Sequence, residues 1–425
     1  MLFRSVPALC HQMLEGKLTD TTQFATLANK VSLTGPVTDL NAFATAYLDV
    51  FSRGYNYAFG IAAIAMVISL LVYIFFNKHL PGKQEITTLK TEKTSAENKS
   101  SLITIVVALL VGALVTFLVS LLKDYKTGMA IGLFGTFVTW IIMSSTKEEK
   151  ARVISLVLVF FVVIFFWMSF HQNGLTLTVF ARDYIVKEVG PFTNIFFTLP
   201  SILSFIAGMG GLFLVFGENK LTNRFIGAAM TVSGAALCYY FISKSYTLNA
   251  ISPEVFQSFN PLFIVFLTPM VMGVFAWLNK IGKEPSTPRK IGIGMIIAAI
   301  GFLVVLVGSL SLISPHELNG QAVPDSSRVN PYWLISSYLV LTIAELFLSP
   351  MGLSFVSKVA PQRFQGLMQG GWLLATAVGN KLLFVGSFFW DKLDLWQLWL
   401  IFIVCCLLSA SFIFSIMKRL ERVTN

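Results

Sequence analysis

The chain has 425 residues, of which 55% are hydrophobic and only 12% are charged. Its mean hydropathy of +0.75 is far above the range of soluble proteins and excludes an ordinary soluble domain. The net charge of +10 could suggest nucleic-acid binding, but Lys and Arg stand mostly in short segments between apolar stretches, which is the pattern that orients membrane proteins.

Eleven stretches are long and apolar enough to cross a membrane, since a span needs about 20 largely apolar residues. The 55 residues ahead of the first stretch are mixed and polar, and no signal peptide is predicted there. The sequence therefore predicts an all-α polytopic membrane protein with about 11 spans. These spans cover residues 56–77, 101–122, 128–145, 152–171, 192–217, 224–243, 257–278, 291–314, 332–356, 366–390 and 395–417.

The distribution of positive charge predicts the orientation of the spans. If the first span runs from outside to inside, the inner segments hold 19 of the 31 Lys and Arg residues and the outer segments hold 11. This bias favours an external N-terminus and a cytoplasmic C-terminus. An external start without a signal, and an odd number of spans, lead us to expect that further spans precede this sequence.

The fourth span carries polar residues at helical spacing. Trp167, His171, Gly174 and Thr178 would share one face of a helix, and this face would look into a cavity or the bundle interior. A histidine can exchange protons near neutral pH. The alternative is a neutral histidine that makes a single structural hydrogen bond.

Two later spans carry further candidates. Asn260 lies beside Pro261, where a proline interrupts backbone hydrogen bonding, so its amide could meet a polar ligand or could cap the helix. Trp372 offers a large aromatic surface with Thr376 on its face, whereas Lys381 falls about half a turn away from that face. Pairs of glycines four residues apart are interpreted as packing contacts, namely Gly128 with Gly132 and Gly366 with Gly370.

Glu345 is the most informative residue, because it lies in the middle of a span. A carboxylate there costs several kcal/mol and is seldom present without a partner or a function. Ser349 and Gly352 share its helix face. The alternative is a glutamate hydrogen-bonded for packing alone. HExxH, GxSxG and GxxxxGK[ST] motifs are absent and the four histidines are scattered, so we predict no enzyme, no catalytic residue, no metal site and no cofactor.

Four segments resemble the proton-dependent oligopeptide transporter family of the major facilitator superfamily. They occur in family order and read FFWMSFHQNG, FQSFNPLFIVFLTP, ELFLSPMGLSFVSKVAP and GLMQGGWLLATAVGN. The resemblance implies a C-terminal six-helix bundle of that fold, with the family's first five helices missing. Its implied organisation is an external segment (1–55), the last helix of the N-terminal half (56–77), a cytoplasmic linker (78–100), an extra helix pair (101–145), the bundle (152–417) with two inserted spans at about 192–243, and a cytoplasmic tail (418–425).

The resemblance also implies roles for individual residues. Glu345 matches a glutamate that receives the amino group of a bound peptide, and Asn260, Trp372 and Trp167 match residues of the peptide site. His171 stands where many members carry a carboxylate implicated in proton coupling or gating. By the same resemblance, the family's proton motif and its groups for the peptide carboxylate belong to its first five helices, which this sequence lacks.

These observations predict proton-coupled uptake of di- and tripeptides across the bacterial inner membrane by alternating access. The coupling ion would be the proton. The expected partners are small peptides, protons and membrane lipid, without nucleic acid, and a separately encoded N-terminal half is a further candidate. The alternatives are transport of another small solute on the same fold, or a membrane fragment or scaffold that does not transport.

Overall fold

A computed structural model describes residues 6–14, 16, 18, 21–32, 35–76, 97–217, 220–318, 321 and 323–424. Within these residues, eleven helical segments are long and apolar enough to cross a membrane, and each coincides with a predicted span. The predicted all-α architecture with about 11 spans is confirmed. The segments are Leu40–Phe76, Leu102–Leu122, Tyr125–Ser144, Lys150–Tyr184, Leu199–Gly217, Leu221–Lys244, Pro253–Lys280, Thr287–Ser309, Tyr332–Val359, Gln362–Trp390 and Leu395–Ser415.

The chain divides into two compact units, Met1–Thr94 and Ser95–Asn425. The first unit contains helices α1 (Val6–Leu14), α2 (Thr21–Val31) and α3 (Leu40–Phe76). Cys10, Phe24 and Ala44 form its small buried core. The helix that contains the first predicted span, 56–77, therefore already begins at Leu40.

The second unit begins with a helical hairpin. Helix α4 runs from Glu97 to Leu122 and α5 from Tyr125 to Ser144, with the Asp124 side chain accepting a hydrogen bond from the Thr127 amide at the start of α5. The predicted linker 78–100 lies outside the described residues except for its last four, which already belong to α4.

Gly128 and Gly132 allow the close approach of the two hairpin helices, as predicted. A Cβ on either residue would stand 2.6 Å from a backbone oxygen of α4. Gly366 and Gly370 show no such contact among the described residues, because the spacing of glycines does not say which side of a helix meets a neighbour.

The remaining helices build the bundle around α6 and α12. Helix α12 packs against α13 and α16, while α14 packs against α6 and α13. These helices bury a continuous apolar core that includes Phe160, Phe302 and Trp399. The bounds are α6 Lys150–Phe170, α7 Thr176–Tyr184, α8 Pro191–Asn194, α9 Leu199–Gly217, α10 Leu221–Lys244, α11 Phe259–Lys280, α12 Thr287–Ser309, α13 Tyr332–Val359, α14 Gln365–Lys381, α15 Phe384–Trp390 and α16 Leu395–Ser415.

Helices α9 and α10 form a second hairpin between α7 and α11. Gly211, Gly227 and Gly234 let their backbones touch, since a Cβ on any of them would stand 2.5–2.7 Å from atoms of the facing helix. A two-residue antiparallel ladder closes the base of the hairpin, with strand β1 (Glu188–Val189) paired to β2 (Asn249–Ala250).

The segment predicted as a tail, residues 418–425, is helical up to Thr424. Helix α17 spans Met417–Thr424 and packs against α6, α12, α13 and α16. Met417 and Leu420 are buried, and Glu421 forms an ion pair with Arg289 at 2.7 Å. The sequence analysis predicted a cytoplasmic tail here and did not predict a helix in it, because the segment is short and highly charged.

Candidate functional site

Glu345 lies half-buried in the middle of α13, where it meets Asn260 of α11. The Asn260 Nδ2 atom donates a hydrogen bond to Glu345 Oε2 at 2.8 Å and a second one to Thr342 Oγ1 at 3.1 Å. Asn260 is the second residue of α11, and the position before that helix belongs to Ser258. The Asn260 side chain therefore reaches across to α13 instead of capping its own helix.

The charge of Glu345 has no cationic partner in the described part of the chain. Its hydrogen-bond partner is a neutral amide, and its Oε1 atom accepts no hydrogen bond from those residues. A half-buried carboxylate with a free oxygen and no counter-ion is a suitable partner for a cationic group of a ligand, or for a proton.

His171 belongs to a second cluster, at the C-terminal end of α6 and on α14. Its ring stacks on Trp167, with ring centroids 4.7 Å apart and an interplanar angle of 22°. Its Nδ1 atom makes a hydrogen bond with Asn380 Oδ1. Asn380 is exposed on α14 and His171 is half-buried, so the pair lies at the surface of the described helices and not in their core.

The predicted common face of Trp167, His171, Gly174 and Thr178 is not continuous. Helix α6 ends at Phe170, and residues His171–Gly174 form a 3-10 turn before α7 starts at Thr176. The physical reason lies at Asn173, whose backbone oxygen accepts from the Tyr338 hydroxyl at 2.7 Å and the Thr178 hydroxyl at 2.9 Å. These bonds replace those of a regular helix at the break.

The two predicted tryptophans are packed between helices. Trp372 is 2% exposed and lies against Gly352 of α13, where a Cβ would overlap with its ring. Trp167 is 8% exposed and lies against Gly379 of α14. The structure thus brings Glu345 together with Asn260, and His171 together with Trp167. Among the described residues, no hydrogen bond or ring contact joins Trp372 to either pair.

The sequence analysis did not single out Thr342, Tyr338 or Asn380. All three are neutral residues in apolar spans, where Ser, Thr, Tyr and Asn are common. One signal was available for Thr342, which lies three residues before Glu345 and therefore on the same side of α13.

Comparison with known proteins identifies the family. The POT family model matches residues 40–201 and 240–392, which is more than half of the chain. The interval between the two matched segments contains most of the hairpin α9–α10.

Curated relatives include the Uncharacterized transporter YclF of Bacillus subtilis, which is 25% identical over 80% of this chain and 56% of its own length. The Dipeptide and tripeptide permease A of Erwinia pyrifoliae is 25% identical over 76% of this chain and 51% of its own length. The chain spans about half the length of the curated relatives it matches.

Solved structures show the same fold. A crystal structure of a POT family transporter in complex with a thioalcohol conjugated peptide matches with a TM-score of 0.53 at 19% identity, covering 95% of this chain and 74% of that chain. A crystal structure of a peptide transporter POT in complex with alafosfalin matches with a TM-score of 0.51 at 21% identity, covering 95% of this chain and 72% of that chain. These similarities, with the family model that covers most of the sequence, show that the chain is a multi-pass membrane protein of the POT family, which is a family of transporters.

Proposed function

We propose that this chain acts in the proton-coupled uptake of di- and tripeptides. The observation that carries the proposal is the Glu345 carboxylate, which is half-buried in a span and hydrogen-bonded only to a neutral amide in the described residues. A peptide ammonium supplies the charge that this carboxylate lacks. Relatives named as peptide transporters and permeases support the same substrate class.

The proposed site uses the residues predicted from the sequence. Glu345 receives the peptide amino group and Asn260 adds a hydrogen-bonding amide, while Trp167 and Trp372 shape the walls. Both tryptophan rings are buried between helices, so we propose that they border the ligand in another conformation of an alternating-access cycle. The groups that would hold the peptide carboxylate are expected on other helices of the family fold.

His171 is the proposed proton site. With Nδ1 hydrogen-bonded to Asn380, the Nε2 atom is left as the nitrogen that gains or loses a proton. The proton is the proposed coupling ion, and no other cofactor is proposed.

The proposed location is the bacterial inner membrane, with an external N-terminus and a cytoplasmic C-terminus. The support is the charge distribution, in which 19 of the 31 Lys and Arg residues fall on the proposed inner side.

Uptake of labelled dialanine tests the proposal. Bacterial cells should express the gene region that encodes this chain with its flanking sequence retained, so that any adjoining helices are supplied. Uptake should collapse when a protonophore removes the pH gradient. Glu345→Gln should lower uptake about 10–100-fold, because a hydrogen bond to a charged group is lost. Its midpoint of thermal unfolding in detergent should stay unchanged.

The matched control is Lys381→Gln, which alters an exposed charge at the end of α14 and should leave uptake unchanged. Equal uptake by Glu345→Gln and the original chain would reject the role of Glu345. The second candidate is another small solute, because a solved POT family transporter is in complex with 5-aminolevulinic acid at a TM-score of 0.50. Uptake of labelled 5-aminolevulinic acid that excess dialanine does not inhibit would favour it.

A further inference from the structure

Thr342 is a fully buried hydroxyl on α13, three residues before Glu345 and on the same side of the helix. Its Oγ1 atom donates to the backbone oxygen of Tyr338 at 2.7 Å. A threonine hydroxyl has one proton, and this bond uses it. Thr342 can therefore only accept a hydrogen bond from any further group.

Asn260 supplies that further hydrogen bond. An asparagine amide carries two donor hydrogens on Nδ2 and two acceptor sites on Oδ1. One hydrogen of Asn260 points to Thr342 Oγ1 at 3.1 Å and the other to Glu345 Oε2 at 2.8 Å. Among the described residues, the Oδ1 atom of Asn260 has no partner.

We propose that Thr342 is a positioning residue that keeps Asn260 a hydrogen-bond donor to Glu345 whether or not the carboxyl carries a proton. An ionised Glu345 alone would orient the amide, since a carboxylate only accepts. A protonated Glu345 would not, because its hydroxyl could donate to Asn260 Oδ1 if the amide turned over. Thr342 prevents this turn. A turned amide would present Oδ1 to the Thr342 hydroxyl, and Thr342 could then bond to Asn260 only by giving up its hydrogen bond to the Tyr338 backbone oxygen.

The consequence concerns the proton and the ligand, and it rests on the proposed function. Because Oε2 of Glu345 always accepts from Asn260, a proton on this carboxyl lies on Oε1. When the carboxyl is ionised, a ligand meets two acceptor oxygens that have no partner among the described residues, Glu345 Oε1 and Asn260 Oδ1. Such a pair favours a primary ammonium, which has three N–H donors, over an N-acylated amine with one donor and no charge.

The test is the infrared C=O stretch of protonated Glu345 in the purified chain. The band is assigned by its absence in Glu345→Gln. In Thr342→Val the amide is free to turn over, so the C=O group no longer accepts an N–H bond and the band should move to higher frequency. Thr342→Ser retains the hydroxyl and should keep the original band. Thr342→Ala provides the same test with a smaller side chain if the valine variant folds poorly.

An unchanged band in both the valine and the alanine variant would overturn the proposal. A second measurement follows ligand selectivity, as the affinity for dialanine divided by that for N-acetyl-dialanine. This ratio should fall about three- to tenfold in Thr342→Val and be restored in Thr342→Ser. An unchanged ratio in a chain that binds dialanine would also overturn it. If the original chain binds neither compound, the proposed function fails, while the infrared band still decides the role of Thr342.

Discussion

The middle of α13 and its C-terminal third differ in how completely an ionisable side chain is surrounded by partners. In the middle, Glu345 accepts a hydrogen bond from one neutral amide, and its other oxygen has no partner among the described residues. Near the C-terminal third, the buried ammonium of Lys290 forms an ion pair with Glu284, lies 4.1 Å from the centre of the Phe275 ring and contacts Met351 Sδ at 3.8 Å. One ionisable group is incompletely partnered and the other is surrounded by partners.

The contacts of Lys290 are those of a structural ion pair. Lys290 is 4% exposed, and the groups around it come from α11, from the turn before α12 and from α13, so its charge ties three segments together. The Trp372 ring fills the space at Gly352, next to Met351. We call this closely packed part of α13, around Lys290, Met351 and Gly352, the closed end. We infer that the closed end contributes stability.

The largest expected effect comes from removing the partner of Lys290. Glu284→Ala leaves a buried ammonium without its carboxylate, which should cost about 3 kcal/mol of folding free energy. The midpoint of thermal unfolding in detergent should fall clearly. Glu345→Gln should not lower it, which is the contrast that the comparison predicts.

Lys290→Met is the matched control for this experiment. It replaces the ammonium by an apolar side chain of similar length and leaves Glu284, which is 28% exposed, accessible to water. We expect only a small change of the midpoint. An equal loss in both variants would show that the ion pair itself, and not the unpaired buried charge, determines stability at this end.

The second expected effect is on packing at Gly352. Gly352→Ala places a methyl group where the Trp372 ring lies, and overpacking of this kind costs about 1–3 kcal/mol. Gly370→Ala on α14 is the control, because no described residue lies within 4 Å of a Cβ at that position and alanine favours the helix by about 0.5–1 kcal/mol. The thermal midpoint should fall in the first variant and rise slightly in the second. A fall of equal size in both would contradict a closed end at Gly352.

The fold was largely predictable from the sequence because a span is a local property. About 20 apolar residues in a row identify a membrane helix without knowledge of its neighbours. The start of α3 at Leu40, the break after Phe170 and helix α17 were not predicted. They depend on moderately polar residues, on hydroxyl groups from another helix, and on packing against distant helices.

The candidate site was predictable only in part. Glu345 stood out because a charge in a span is costly, and Asn260 because it adjoins a proline. Their contact joins residues 85 positions apart and depends on how α11 and α13 are rotated, which periodicity within one helix does not determine. Trp167 and Trp372 are buried because glycines on facing helices leave room for them. Which residues of two helices face each other again depends on helix rotation, so the sequence did not predict these contacts. The roles of these residues in peptide binding, and that of His171 in proton coupling, remain predictions.

The smallest expected effect is a change in the stability of the closed end at acid pH. Hydrogen bonds from Lys290 and then from Asn279 hold the pKa of the Glu284 carboxyl below its usual value. A lowered pKa stabilises the folded chain above the unfolded carboxyl value of about 4.3, and this contribution is lost as the pH falls through the folded value. The thermal midpoint, measured from pH 7 downward, should therefore fall less below about pH 4 in Lys290→Met than in the original chain. Parallel acid curves would mean that Lys290 does not hold the Glu284 carboxyl, and the middle of α13 and its C-terminal third would then differ in packing alone.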